Sequence, residues 1–477
     1  MKFKLSCVDI LPRSGCIGQI DNYPDVSLAT PNCLLYTKFG AVPFLTNDIV
    51  KQVRNVPSLT FASVNFLRER FKVFQKFGKG LAQYSGLGLP VILFQNDPTE
   101  AAVTRAVDKT SIQVWAVGGR LPVNMKQYAD CVVDALPVAF QMPVDNETSF
   151  PDVTPPTKKR CQKSVQRTKS YADMLEEFVV SNEKLRGIPS LISVAGGNDL
   201  DQRLCGIASM DFSRGSGVVL DGFFHEPLEG DRLSHLETVF SILSSICSGL
   251  PPHLPRFLTN LWQPDEVVRA CLCGVDLFDG SLPFRLTRSG IAWLYTAYRK
   301  EMVSSPWMCF PLQVEELKAE VYRQPIQPDC PCFACQRHNQ GYVSHLHSVN
   351  EMLAHILLMI HNSTQCYAFF ADLREAIANG GVDEFAKMSK IHHFPEDLDW
   401  ADEDVNDYPK TISSLSVWRL KATPPPQPFL LACPAGLPLF VFHITGRPAY
   451  SEADLELVCH LIPPPSGQGN KSEASVA

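Results

Sequence analysis

Apolar positions in the first part of the chain fall into two kinds of text. Short, mainly apolar runs recur at residues 90–94, 190–194, 217–220, 256–259 and 275–278. Between them, apolar residues are spaced three and four apart over 125–135, after Gly196-Gly197, over 231–247 and over 264–273. A short, mainly apolar run suits a buried strand, and the wider spacing suits a helix with one buried face. Further strands are predicted at 33–36, 41–45, 111–117 and 139–144, and a helix from 47 to 77. Buried strands alternating with helices make a parallel sheet with helices packed outside. Spread over roughly 300 residues, the pattern predicts an α/β fold of the (β/α)8 barrel kind over a compact open sheet. No internal repeat is visible.

The pattern breaks in three places. Residues 148–170 hold Pro151, Pro155 and Pro156, then Lys158, Lys159, Arg160, Lys163, Arg167 and Lys169. Local chemistry predicts a solvated surface loop, and the alternative is a loop that contacts phosphates. From 344 the spacing of Leu346, Val349, Leu353, Ile356 and Ile360 is helical. Residues 390–477 open acidic (Glu396, Asp397, Asp399, Asp402, Glu403, Asp404) and carry Pro424–Pro426 and Pro463–Pro465, with a strand predicted at 439–444. The division expected is a barrel core over 1–315, a second region over 316–390 and an appended, partly disordered tail over 391–477.

Composition narrows the function classes. The chain has 477 residues, 45% of them hydrophobic and 19% charged, enough for a large core. A net charge of −7 excludes a uniformly basic nucleic-acid binder but leaves room for a local basic patch. Residues 1–16 lack the apolar stretch of a secretory signal, and 353–360 is too short to span a bilayer and is interrupted by His355. A cytoplasmic, reducing compartment is expected. Most of the 16 cysteines, such as Cys131, Cys205 and Cys247, stand alone in apolar text and read as small buried hydrophobes.

Cys330, Cys332 and Cys335 are the exception. Three thiolates this close can wrap one zinc ion tetrahedrally, with a fourth ligand from elsewhere. A disulfide within Cys-x-Cys would be strained, and the compartment is reducing. His338, His345, His347, His355 and His361 are all near, and spacing alone does not choose among them. A site with no open position is structural and not catalytic.

Residues 330–385 resemble the zinc region of the tRNA-guanine transglycosylases, which has Cys-x-Cys-x2-Cys, 25 residues and a His-Asn pair. Here 25 residues separate Cys335 from His361, and Asn362 follows. Asn350-Glu-Met-Leu and Leu373-Arg374-Glu-Ala-Ile377 also fit. The resemblance implies that His361 is the fourth ligand of one structural Zn²⁺. It also implies a TIM-like barrel with an inserted zinc-binding subdomain and a C-terminal helical region. Pro31-Asn-Cys-Leu-Leu-Tyr-Thr37, Pro43-Phe-Leu-Thr46 and Leu220-Asp-Gly-Phe223 look like the accessory, non-catalytic branch of the family. That branch pairs with a catalytic queuine tRNA-ribosyltransferase subunit, which exchanges guanine for queuine at wobble position 34 of tRNAs with GUN anticodons (Asp, Asn, His, Tyr). The zinc subdomain and the helix over 344–378 would then form much of the heterodimer interface. Peripheral association with the mitochondrial outer membrane is implied as well.

Base exchange with retention calls for a carboxylate nucleophile and a second proton-moving group. In the resemblance, Gly274-Val-Asp-Leu-Phe-Asp279 puts Asp279 at the nucleophile position, and Asp145 falls at the base-reading aspartate. The family's Asp-Ser-Gly-Gly-Phe-Gln is best matched by Asp108-Lys-Thr-Ser-Ile-Gln113, which lacks both glycines. Val194-Ala-Gly-Gly197 replaces the base-binding glutamine by Ala195, and the Gly-Gly-Leu loop is altered at Gly217-Val-Val219. Asp108, Asp145 and Asp279 are therefore read as vestiges, with no catalytic residue expected. Lys158, Lys159, Arg160, Lys163 and Arg167 become candidates for tRNA contact. Two alternatives stay open. One is an active transglycosylase with Asp279 as nucleophile and Asp108 as acid/base, and the other is a zinc-stabilised barrel scaffold.

Overall fold

The computed structural model describes residues 1–391 except 7–10, 39, 66–70, 101–107, 117–118, 150–154, 225–231, 261, 296–308 and 312–322. All of them belong to one unit, Met1–Ser414. The tail and its predicted strand at 439–444 lie outside the described residues.

A three-stranded antiparallel sheet comes first: β1 (Lys2–Leu5), β2 (Gly15–Gly18) and β3 (Leu28–Thr30). The next strands are β4 (Asn32–Cys33), β5 (Leu35–Tyr36), β6 (Thr60–Ser63) and β7 (Val91–Phe94). A hairpin of β8 (Ser111–Ala116) and β9 (Gly119–Asn124) follows. Then come β10 (Ala139–Gln141), β11 (Ser190–Val194), β12 (Gly215–Leu220), β13 (Arg256–Leu258) and β14 (Leu277–Phe278). One parallel sheet runs β4-β14-β13-β12-β11-β10-β7-β6-β5. Its two ends are a single length of chain. The Leu34 N–H donates to the Phe278 carbonyl (2.9 Å) and the Leu35 N–H to the Leu59 carbonyl (2.8 Å), so residues 32–36 bond to the last strand and to the next one and close the barrel. β6, β7, β10 and β13 are buried at every position, which is why their sequence shows no alternation.

Several expectations need correction. Among the described residues, the helix predicted over 47–77 is broken, with Asn47–Val50 and Phe71–Phe77 helical and β6 between them. Four residues buried on both faces carry no period of their own, so β6 merged with the helical spacing around it. No strand forms over 41–45, where Val42 and Leu45 enter the core from irregular chain. The strand predicted at 111–117 exists as β8 but belongs to the hairpin and not the barrel. The basic stretch read as a loop is a helix, Lys158–Ser181, whose start is capped by Thr157 accepting from the Arg160 N–H. It buries Cys161, Ser164, Val165, Thr168, Tyr171 and Leu175, a helical face hidden by its small polar members.

After β14 come the helix Leu282–Arg288 and β15 (Ile291–Trp293), which pairs with β16 (Cys309–Pro311). The helix expected from 344 is two, Gln340–Ser348 and Met352–Ala378, parted where Asn350 turns left-handed at φ 56°. Met352–Ala378 buries sixteen of its 27 residues and packs on Leu282–Arg288, β15 and β4, so its core is continuous with the barrel's. Among the described residues, no helix is long and apolar enough to cross a membrane.

Candidate metal centre and barrel mouth

Two short elements and one long helix bring four donor atoms together. Cys332 caps the helix Phe333–Arg337, its Sγ accepting from the Cys335 N–H (3.4 Å), and Cys330 precedes it. His361 enters from Met352–Ala378. Its Nδ1 lies 3.7 Å from Cys330 Sγ, 3.7 Å from Cys332 Sγ and 3.3 Å from Cys335 Sγ. All four residues are buried, with their ligand atoms within 4.8 Å of one another. The His361 Nε2 faces the Trp293 carbonyl at 2.9 Å, which can only accept, so Nε2 holds the proton and Nδ1 offers its lone pair to the thiols. Gln365 donates to Cys330 Sγ (3.1 Å), and Gln336 donates to the Cys330 carbonyl (2.9 Å). Hydrogen bonds from Cys332 and Cys335 hold the Cys330 thiol well below its usual range.

Asn362 completes the grip. It accepts from the Trp293 N–H (2.8 Å) and donates to the Ile291 carbonyl (2.9 Å) and Thr287 Oγ1 (3.1 Å). The His-Asn pair therefore fastens the cluster to β15. The other four histidines stay out of it. His347 and His355 lie ring to ring at 5.8 Å, His338 stacks on Tyr342, and His345 is exposed. This buried Cys3His cluster can hold a metal ion.

The second concentration of polar groups sits at the C-terminal ends of the barrel strands, where barrels place chemistry. Gln95 and Asp97 follow β7, Gln141 ends β10, Asp145 and Asn146 follow it, Asp221 follows β12, and Asn260 follows β13. Their amides bond to one another. Gln141 accepts from the Gln95 N–H (2.9 Å) and donates to Asp221 (3.0 Å), while Gln95 both donates to and accepts from the Val144 backbone (3.0 and 2.7 Å). Burial raises the Asp221 carboxyl against the bonds from Gln141 and Gly222.

Asp145 is wrapped by the helix Lys158–Ser181. Its buried carboxylate receives Arg160 Nη1 (3.0 Å), Arg160 Nη2 (2.5 Å) and Arg167 Nη1 (3.3 Å). Its carbonyl accepts from Ser164 (2.5 Å), and its N–H donates to Thr168 Oγ1 (3.1 Å). Of the five basic candidates, Arg160 and Arg167 thus turn inward. Lys158 pairs with Asp201 at the surface, and Lys159 and Lys163 lie exposed one turn apart.

Asp279 ends β14 and does not line the pocket that holds Asp145. It borders an apolar slot with Trp262, Phe278, Trp293, Cys366 and Phe370. Burial, together with the nearby Asp97, raises its pKa to about 6 against hydrogen bonds from the Ser281 N–H (2.8 Å) and Oγ (2.5 Å). Asp108 is not brought to either group. It sits in the turn before β8 and spends its carboxylate on the N–H groups of Thr110 (2.5 Å) and Ser111 (2.7 Å) and on Ser111 Oγ (2.8 Å). Partial burial raises the Asp108 carboxyl, but these bonds more than offset it. The carboxylate that follows the barrel strand is Asp97, held by the Tyr36 hydroxyl (2.7 and 2.8 Å) and by Thr99. Its signal in the sequence was position, a polar residue just past the strand at 90–94.

The turn after β11 is filled from within. Arg203 is fully buried and donates to the carbonyls of Gly197 (2.6 Å), Val194 (3.2 Å) and Asp221 (2.9 Å), its guanidinium lying 3.4 Å from the centre of the Phe223 ring. Burial lowers its pKa to about 9. Thr148 fits beside Gly197 and Gly222 and donates to the Gly222 carbonyl (2.8 Å).

A family model described as "Queuine tRNA-ribosyltransferase" matches residues 13–394. A Xenopus laevis protein named queuine tRNA-ribosyltransferase accessory subunit 2 is 30% identical over 420 residues, covering 81% of this chain and 99% of the relative. Proteins of the same name from Xenopus tropicalis (29% over 425 residues, 81% and 98% covered) and Homo sapiens (27% over 424 residues, 82% and 99% covered) are similar too.

Proposed function

The chain belongs to the queuine tRNA-ribosyltransferase family, and we propose that it is a non-catalytic subunit, paired with a catalytic homologue that exchanges guanine for queuine at position 34 of GUN-anticodon tRNAs. The barrel mouth carries this reading. Asp145 is paired with Arg160 and Arg167, Ala195 stands where an amide would read the base, and Asp279 is buried beside an apolar slot. A pocket whose reading groups are already bonded to the chain has little left with which to discriminate a transition state.

The partner surface is proposed on the metal-binding region. Phe333, Tyr342, Val349, Met352 and Leu353 are all exposed there, Met352 to 68%. A cluster of exposed apolar side chains within some 20 residues is what a protein interface presents. The interface is thus assigned to residues 333–353, since most of Met352–Ala378 is committed to the chain's own core. The ion is proposed to be zinc. Zn–S near 2.3 Å and Zn–N near 2.0 Å in a tetrahedron place S and N about 3.5 Å apart, and the three distances here are 3.3 to 3.7 Å. Bound there, it would tie residues 330–335 to the long helix.

Purified chain, alone or with a catalytic homologue, is given anticodon stem-loop RNA and labelled queuine. Exchange is expected only with the homologue, at a rate that Asp279→Ala in this chain leaves unchanged. Exchange by this chain alone, lost in Asp279→Ala, would establish the active reading instead. Failure to form the complex at micromolar concentration would leave the scaffold reading. We also place the complex in the cytoplasm, docked peripherally on the mitochondrial outer membrane, which fractionation with protease protection tests.

A further inference from the structure

The N-terminal ends of the barrel strands hold a charge imbalance. Arg13 lies in the chain between β1 and β2, Arg256 opens β13, and Asp276 precedes β14. All three are buried, at 3%, 6% and 0% exposure. Both arginines rest on the one carboxylate. The Arg256 backbone N–H donates to Asp276 Oδ2 (2.8 Å), and Arg13 Nε lies 3.4 Å from Oδ1. The two side chains also flank one glycine, since a Cβ on Gly274 would fall 2.7 Å from Arg256 Nη1 and 3.7 Å from Arg13 Cδ. Part of each guanidinium is spent on backbone. Arg13 Nη2 donates to the carbonyls of Pro252 (2.8 Å) and Leu254 (3.2 Å). Arg256 Nη1 and Nη2 donate to those of Gly274 (3.0 Å) and Leu250 (3.3 Å). Arg13 Nη1 and Arg256 Nε keep buried N–H groups with no acceptor among the described residues. A guanidinium keeps its charge in a protein. Burial raises Asp276 to about 6 against the pull of Arg13 and Arg256, so it is ionised at neutral pH. Two positive charges thus share one negative charge, and Asp276 is the only carboxylate among the described residues that acts on Arg13. Carbonyls and water can satisfy an N–H, but neither carries the missing charge.

We propose that Arg13 and Arg256 together bind one small monovalent anion, of the size of chloride, through the N–H groups that the backbone leaves unmet. The Phe3 ring lies 5.4 Å from the Arg13 guanidinium carbon and covers the group with an apolar face, which strengthens its attraction for an anion. The site stands at the end of the barrel opposite the mouth, where barrels carry stability and not chemistry. Its role is structural. Arg13 belongs to the first antiparallel sheet, and Arg256 and Asp276 to the last barrel strands. A shared ion would fasten the one to the other.

The test is urea unfolding of the full-length chain at fixed ionic strength, with chloride exchanged stepwise for gluconate, a much larger anion. An ion that binds only the folded chain multiplies the folding constant by one plus the ratio of its concentration to its Kd, about twentyfold at ~200 mM for a Kd of ~10 mM. The unfolding midpoint should climb with chloride and level off. Arg256→Met leaves one guanidinium facing one carboxylate, so the response should vanish. Asp276→Asn leaves two guanidiniums and no carboxylate, so half-saturation should come at least threefold lower in chloride. A self-contained ion pair would give neither change. Asp9 stands four residues before Arg13 in the sequence, so Asp9→Asn is measured as well. A chloride response confined to Asp9→Asn would make the chain its own source of the anion and overturn the proposal. So would a midpoint that does not move, that moves without levelling off, that moves equally in wild type and Arg256→Met, or whose half-saturation is unchanged in Asp276→Asn. Where either variant fails to fold, crystals of the wild-type chain grown in bromide decide. An anomalous peak in contact with both Arg13 and Arg256 supports the site, and its absence beside two ordered side chains overturns it.

Discussion

Cys330, Cys332, Cys335 and His361 turn their donors to one point and receive no cation from the described chain, whereas Asp145 at the barrel mouth receives two arginines. Both clusters are buried, and a buried charge must be paired. At the first, the pairing is left to something from outside. At the second it is supplied by a helix a few residues further along the chain. The difference separates a site kept for a ligand from a site closed by its own protein. The surrounding amides tell the same story. Those near the cysteines point at the cluster or grip β15, while Gln95, Gln141 and Asp221 bond to each other and to backbone.

The comparison breaks most visibly at Cys332. Cys332→Ser should lose the metal and loosen residues 330–337 from the long helix and β15, because the apparent binding energy of a structural zinc is about 10–16 kcal/mol and is largely folding energy. Elemental analysis of the purified variant and hydrogen exchange over β15 check this, and full metal content in the variant would show that the ion sits elsewhere. At the mouth, Arg203→Ala should cost about 3–5 kcal/mol by leaving the buried Gly197 and Asp221 carbonyls without a donor and the Val194 carbonyl with only the Asp221 N–H. A urea melt showing under about 1 kcal/mol would mean that the mouth is not the self-satisfied cluster described.

Asp279 offers a smaller effect of opposite sign. Its pKa is about 6 in the folded chain and about 3.9 when unfolded. The folded state therefore binds the extra proton between these values, so stability is greatest at the acid end and declines as pH rises from about 4 to 6. Asp279→Asn should stabilise the chain by about 1–3 kcal/mol at pH 8 and much less at pH 4.5. Equal melting behaviour of the two proteins at both pH values would remove the buried-charge argument. The smallest effect is expected at the surface. Lys159→Ala with Lys163→Ala should leave stability within about 0.5 kcal/mol and weaken tRNA binding by the heterodimer several-fold. The salt dependence should fall by about one per lost phosphate contact, measured by filter binding across a salt series. An unchanged slope would take the basic helix out of the RNA path.

Much of this was legible beforehand, and where it was not the reasons are physical. β7, β11, β12 and β13 were visible because several buried apolar residues in a row leave few other readings. β6 was lost because its four residues lie between two helical stretches. The three cysteines were plain, but their histidine was not readable from spacing, since five candidates stand near. The fold selects His361 through Trp293, a residue 68 positions away. At the mouth, Asp279 and Asp145 were found at strand ends, whereas Asp108 was chosen on a short match and proves to belong to a surface turn. As a loop, residues 158–169 give no reason for Arg160 and Arg167 to face inward. Only as a helix do positions 160, 164, 167 and 168 share the face that covers Asp145.

The split first strand bears on how the chain is made. Residues 32–36 hold the next strand with one half and the last with the other, and Arg374 reaches back to the Pro31 carbonyl (2.9 Å) across 343 positions. A chain emerging from the ribosome therefore presents its first barrel strand long before Phe278 arrives to pair with it. Until then the growing sheet has an open hydrogen-bonding edge and an uncovered apolar face, the features that invite wrong partners. Barrel closure cannot precede Phe278, nor seating of the long helix Ala378, so the open edge persists while the remaining barrel strands are being made.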